Sequence, residues 1–250
     1  MEYYEYLLII AVGFVAGFVN TVAGGGSLLS LPVLIFLGLP PAVANATNRI
    51  AIMGQNIFSV AGFQSKGVSA RPYSWWLAGS SLIGGAVGAW FAVEIDADLF
   101  NRILAIIMVL VVLSIIFDSV VKKKSNGEKL DFMHQLWGVI AFFFIGIYGG
   151  FIQAGVGFLT IAALTHINGF SLVKANFVKV FAALIYTGSA LLVFIIEDKV
   201  NWTLGLVLAV GNSAGGWIAS RWSVEKGDKV IRIFLVITVI ALAIKLWFFT

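Results

Sequence analysis

Residues 16–32 read AGFVNTVAGGGSLLSLP. An apolar, helix-like run gives way at Asn20 and Thr21 to three consecutive glycines, Gly24, Gly25 and Gly26, and to Ser27. A second apolar run then carries the chain to Pro32. A soluble protein could use such a patch to cradle a phosphate, and a membrane protein could use it to hold something in the middle of the bilayer.

Composition decides the setting. Of 250 residues, 60% are hydrophobic and 11% charged, and mean hydropathy is +1.01, too little polar surface for a soluble domain of this length. Apolar runs of spanning length recur at 75–93, 99–121 and 230–249, each near the ~20 residues that cross a hydrocarbon core. The expected fold class is therefore an all-α polytopic membrane protein. The opening MEYYEY is acidic where a signal peptide would begin with Lys or Arg, so the first apolar run is expected to be retained. Cysteine is absent, which excludes disulfides and thiolate metal sites. The net charge of +4 marks cytoplasmic loops rather than nucleic-acid binding.

The chain repeats itself. GGGSLLSLPVLIFLGLPPAVANATN from Gly24 and GVGFLTIAALTHINGFSLVKANFVK from Gly155 match at an offset of 131. Gly24 pairs with Gly155, Gly26 with Gly157, Gly38 with Gly169 and Asn45 with Asn176. GFVN at Gly17 meets GFIQ at Gly150, and Gly85, Asp98 and Arg102 meet Gly215, Asp228 and Arg232. Residues 1–121 and 136–250 are thus expected to be two homologous repeats joined by a polar cytoplasmic linker, 122–135. The Lys/Arg counts of loops 64–73, 93–98, the linker, 197–201 and 220–229 are two, none, four, one and three. By the positive-inside rule these loops read in, out, in, out, in. Equivalent loops fall on opposite sides, so the repeats are expected to be inverted, with the N-terminus outside the cell membrane. Each half is expected to carry three full crossings (42–63, 75–93 and 99–121 in the first) and one broken segment. The segment at 7–37 ends in an arm of ten residues, roughly 15 Å long. It is either a re-entrant hairpin or a pair of tilted helices.

Non-helical backbone is tolerated at membrane depth only where protein buries it or where it lines a wet cavity. Interruptions at matching positions of inverted halves point to a midplane binding site. Here they are Asn20–Ser27 and Gln153–Gly157. Free N–H groups and the positive dipole end at the start of each following half-helix favour an anion. Close helix packing is the alternative use of glycine, and it accounts for Gly13/Gly17, Gly84/Gly85/Gly88 and Gly211/Gly215.

Three cations lie within apolar segments: Arg49, Lys174 and Lys179. Asn45, Asn48 and Arg49 share one helix face, and Asn176 and Lys179 repeat that spacing. A deep cation without a carboxylate partner marks an ion or substrate path. Snorkelling to the interface is the competing reading and suits Lys174, near the start of its segment. Gln55 and Asn56 either line the same path or hydrogen-bond between helices. His166 ends the short second arm, an interface position.

GFVAGFVNTVAGGGSLLSLPVLIFLGLPPAVANATN, with GGFIQAGVGF opening the second half, resembles the TauE/SafE family of sulfite-exporter-like transporters over essentially the whole chain. The resemblance implies an integral membrane permease for sulfite, sulfonates or other sulfur-containing organic anions. The second copy departs from the first: GLPP becomes GFSL and ATNR becomes FVKV. The expected substrate site comprises Asn20, Thr21, Gly24, Gly25, Gly26, Ser27, Asn45, Asn48, Arg49, Gln153, Gly155, Gly157, Asn176 and Lys179, with one half moving against the other. No cofactor is called for, and HExxH, paired carboxylates and Ser-His spacings are missing. The expected partners are a small anion and the lipid bilayer, with no nucleic acid. A passive anion channel of the same architecture is the rival.

Overall fold

The computed structural model describes residues 3–70, 72–93 and 127–249, together with 95, 96, 98–100, 102, 103 and 106. The expected crossing at 99–121 and the first part of the linker lie mostly outside the described residues. What is described is helical, with no strand: α1 (Tyr3–Val22), α2 (Ser27–Phe36), α3 (Pro41–Gln64), α4 (Tyr73–Val93), α5 (Phe132–Phe151), α6 (Val156–His166), α7 (Leu172–Ile196) and α8 (Trp202–Phe249). Among them α1, α4, α5 and α7 are long and apolar enough to cross a membrane. The 24-residue α3 is long enough but more polar, and α2 and α6 have only 10 and 11 residues.

The long α8 is two helices joined at Gly227 (φ 70°, ψ −179°), where the backbone leaves helical geometry. That break falls inside 220–229, the expected loop, whose residues on either side of Gly227 are helical. The charges there are tied down locally. Glu225 pairs with Lys66 at 2.7 Å, and the Asp228 carboxylate accepts from the Leu172 and Val173 N–H groups that open α7. GLPP and GFSL, which differ in sequence, do the same work. Pro41 stands at the first turn of α3 with its φ preset, whereas Ser171 caps α7 by accepting from the Lys174 N–H.

Two parallel bundles build the molecule. On α3, Ile50, Gly54 and Gly62 meet Gly205, Ser213 and Ser220 of α8, and on α1, Gly13 and Gly17 meet Leu208 and Asn212 of the same helix. So α1, α3 and α8 run together. Likewise Gly84 and Gly88 of α4 meet Phe143 and Ile147 of α5. Trp75 and Leu82 of α4 meet Phe181 and Ser189 of α7. The small residues let backbones touch, which is how helices adhere where lipid supplies no hydrophobic drive. The bundles oppose each other, since Phe63, Met53 and Arg49 of α3 meet Phe177, Gly188 and Phe194 of α7 in reverse order. Trp76, Trp90, Phe91 and Trp137 face outward, as a lipid-facing surface requires.

Each broken segment is a hairpin. Leu29 and Val33 of α2 lie beside Val15 and Ala11 of α1, so α2 doubles back and leaves at the end where α1 entered. The tip, Thr21–Leu28, is buried. It sits beside Gln55 and Ser59, near the middle of α3. The α5–α6 tip is buried likewise, with Gln153 bonded to Thr187 of α7.

The two tips touch. A Cβ on Gly157 would stand 2.3 Å from the Gly24 Cα, and one on Gly24 would stand 2.5 Å from the Gly157 Cα. Neither clash is with a movable side chain. Gly157→Ala is therefore expected to cost about 1–3 kcal/mol of overpacking, read as a lower melting temperature in detergent. Gly79→Ala, with nothing within 4 Å of the added carbon, should leave it unchanged.

Candidate functional site where the chain breaks meet

At the tip of the first hairpin, Gly24 adopts φ +93°, and in the second Gly155 adopts +75° and Gln153 +61°. These left-handed conformations suit glycine and turn each chain sharply enough to start a new helix beside the old one. Four helix ends converge: the C-termini of α1 and α5, and the N-termini of α2 and α6.

The C-termini are bound crosswise. Lys179, on α7, donates all three ammonium protons to oxygens near the α1 end: Asn20 O at 2.8 Å, Thr21 O at 2.8 Å and its own neighbour Asn176 Oδ1 at 2.7 Å. Arg49, on α3, does the reciprocal work for α5. Its Nη1 donates to Gly149 O at 3.0 Å and to Gln153 Oε1, and its Nη2 to Gly150 O, Phe151 O and Asn45 Oδ1. Asn45 and Asn176 complete the pattern, their amides donating to Phe151 O (2.8 Å) and Val22 O (3.0 Å). A C-terminal carbonyl lacks an intrahelical partner and carries the negative dipole end, so a cation is its natural complement. Arg49 is 0% and Lys179 4% exposed. Among the described residues no Asp or Glu pairs with either.

A neutral network braces the tips. Asn20 donates to Gln55 Oε1 (2.8 Å), Gln55 donates to Thr21 Oγ1 (3.1 Å), and Thr21 bonds Ser59 (2.9 Å). Ser30 donates to Asn48 Oδ1. Between the tips lies a cavity lined by Asn20, Asn56, Gln153, Gly157, Lys179 and Tyr186 among others. Its volume is about 10 Å³, room for one water at most. The Asn56 amide nitrogen and the Arg49 Nε, both buried, have no partner.

The structure thus brings Asn20, Gln153, Gly157 and Lys179 to the cavity. Thr21, Asn45, Asn48, Arg49 and Asn176 stand behind them, holding the hairpins. Gly24, Gly25, Gly26, Ser27 and Gly155 form the buried turns without lining the cavity. His166 ends α6, well away from the break, its Nδ1 against Ala162 O. Lys174 pairs with Glu128 at 2.7 Å, outside the site. The sequence reading omitted Ser30, Ser59, Tyr186 and Thr187. The offset of 131 that aligns the glycines also sets Gln55 and Asn56 on Tyr186 and Thr187, and carrying the repeat that far would have found the last two.

The profile described as "Sulfite exporter TauE/SafE" matches residues 9–246. The chain belongs to this family. A probable membrane transporter protein of Haemophilus influenzae is 27% identical over 230 residues, 92% of this chain and 89% of the relative. The probable membrane transporter protein YfcA of Escherichia coli is 31% identical over 237 residues, 94% and 87% of the two chains. A third, ORF9 of a Sinorhizobium species, is 26% identical over 253 residues, 98% and 94%. No solved structure matches. As a TauE/SafE member with four described helices fit to span a bilayer, the chain is a multi-pass helical protein of a membrane transporter family.

In this TauE/SafE chain the buried cations hold backbone, so removing one strands carbonyls at a cost of ~1–3 kcal/mol each. Arg49→Leu is expected to lower the unfolding free energy in mild detergent by about 2–5 kcal/mol. Lys174→Ala, which removes a partly exposed ion pair and a cation–π contact with Phe170, should change it by about 1 kcal/mol.

Proposed function

We propose that this chain carries a small sulfur-containing anion, sulfite or an organosulfonate, across the cell membrane through a midplane site between the two hairpin tips. The observation that carries the reading is the pair of buried cations, Arg49 and Lys179, at the meeting of two chain breaks, with no carboxylate among the described residues paired to either. Each C-terminal dipole end contributes roughly −0.5 charge and each N-terminal end roughly +0.5, so the four helix ends cancel. The two side chains remain as net positive charge, in a place that costs free energy unless an anion arrives. The anion's oxygens take the side chains of Asn20, Asn56 and Gln153, which line the cavity, as hydrogen-bond partners. Arg49 and Lys179 supply the field.

In this reading residues 1–121 and 136–250 are inverted repeats about linker 122–135, and each broken segment is a re-entrant hairpin. The opposed directions of α3 and α7 support it, as does the reciprocal use of Arg49 and Lys179. The linker is cytoplasmic and the N-terminus outside. Because the chain has no cysteine, sidedness can be read with single cysteines in closed vesicles. Ser65→Cys should react with an impermeant maleimide only from the cytoplasmic face, and Asp198→Cys only from the other. Labelling of both from one face would end the inverted arrangement.

A cavity with room for one water at most favours a carrier that must rearrange over an open channel. In proteoliposomes offered sulfite, sulfate, thiosulfate, taurine and sulfoacetate, one anion is expected to enter saturably and to show counterflow. Arg49→Gln should abolish this flux, and Asn20→Ala should raise KM severalfold in protein that remains monodisperse. Flux that neither saturates nor exchanges would assign the passive channel. Saturable uptake indifferent to both substitutions would remove the site from between the tips.

A further inference from the structure

The environment of Lys179 is that of a bound alkali cation. Three oxygens surround its ammonium at 2.7–2.8 Å: two backbone carbonyls from the last turn of α1, Asn20 and Thr21, and the side-chain oxygen of Asn176. Half-helix C-termini and unwound carbonyls at the centre of a transporter are where coupling cations bind. The cavity beside Lys179, with room for a water, could complete a cation's coordination. Here the chain brings its own charge on a four-carbon tether. Arg49 does the same for the other hairpin, so both C-terminal ends are occupied by resident cations.

We propose that the Asn20–Thr21–Asn176 cradle is a latent monovalent-cation site filled by Lys179, so that anion transport by this chain runs without a sodium gradient. The tethered ammonium supplies the positive charge that a co-transported Na⁺ would otherwise bring, and it cannot leave. This rests on the anion-carrier reading for its consequence in transport, while the cradle itself can be tested without any flux.

Purified wild type, Lys179→Ala and Lys179→Met are melted in detergent with NaCl, KCl or choline chloride at equal ionic strength. Wild type is expected to melt within about 1 °C in all three salts. Lys179→Ala, its cradle vacated, should melt lower in choline and recover by about 3 °C or more in NaCl or KCl, since a ligand bound only by the folded state raises its Tm. Lys179→Met, whose chain fills the space without charge, should melt low in every salt. In proteoliposomes, wild-type uptake should be the same in choline as in Na⁺, and Lys179→Ala uptake should rise severalfold when Na⁺ or K⁺ replaces choline.

A Lys179→Ala protein whose Tm ignores the cation would overturn the cradle. Wild-type uptake that requires Na⁺ would overturn the resident-cation role, and that arm stands even if the alanine variant does not fold. Absence of any anion flux in wild type would end the carrier reading, leaving the melting series to decide the cradle.

Discussion

Two helices end inside this protein, and their terminal carbonyls must find donors in a place water does not reach. An unpaired buried carbonyl costs ~1–3 kcal/mol, and each C-terminus exposes up to four. The chain answers with one long basic side chain per helix, taken in each case from the other half of the chain: Lys179 for α1 and Arg49 for α5. Most of the central architecture follows. The hairpin tips must meet where those side chains reach, so Gly24 and Gly157 press backbone on backbone. The helices carrying the cations, α3 and α7, must oppose each other across the tips.

The same requirement explains an inverted distribution of polarity. Trp90, Phe91 and Phe144 face outward while Asn48, Gln55 and Ser59 are buried. A water-soluble protein does the reverse. α3 shows why its place is central: with Asn45, Asn48, Arg49, Gln55 and Asn56 buried along it, it would lose hydrogen bonds if any of those faced lipid. Its partners are the tips and α7 on one side and α8 on the other.

Much of this was legible in the sequence. The glycine clusters, the repeat offset and the unpaired cations are local signals, each with a physical cost that only a particular setting offsets. What the cations bind was not legible. Most of the acceptors of Arg49 and Lys179 are backbone carbonyls, which every residue carries and which no side-chain pattern marks. The identity of those acceptors depends on where α1 and α5 stop, a tertiary fact. Ser59 and Ser30 escaped for a similar reason, since a lone serine in an apolar helix says nothing until its neighbour is known. At 220–229 the expected loop narrows to the break at Gly227, because Lys66 and the α7 N-terminus satisfy the charges of Glu225 and Asp228 on helix to either side of it.

The helix pairing also changes which bodies can move. Motion of one sequence half against the other would be the simple reading of a duplicated chain. Yet α4, from the first half, packs on α5 and α7 of the second, and α8, from the second, packs on α1 and α3 of the first. The glycine-lined contacts within each set are close enough to leave no room for a Cβ at Gly17, Gly88 or Gly215, and such surfaces do not slide freely. Between the sets the contacts include α3 against α7, tip against tip, and Asp228 of α8 on the N–H groups that open α7. A rearrangement would therefore move the mixed bundles, α1–α3–α8 and α4–α5–α7, and the tethers crossing between them include Arg49, Lys179, Asn45 and Asn176. Any separation of the tips has to stretch or release those bonds. On the proposed carrier reading, an anion settling beside the two cations would compete with the carbonyls for them, so the ligand that needs the site open would be the one that weakens what holds it closed.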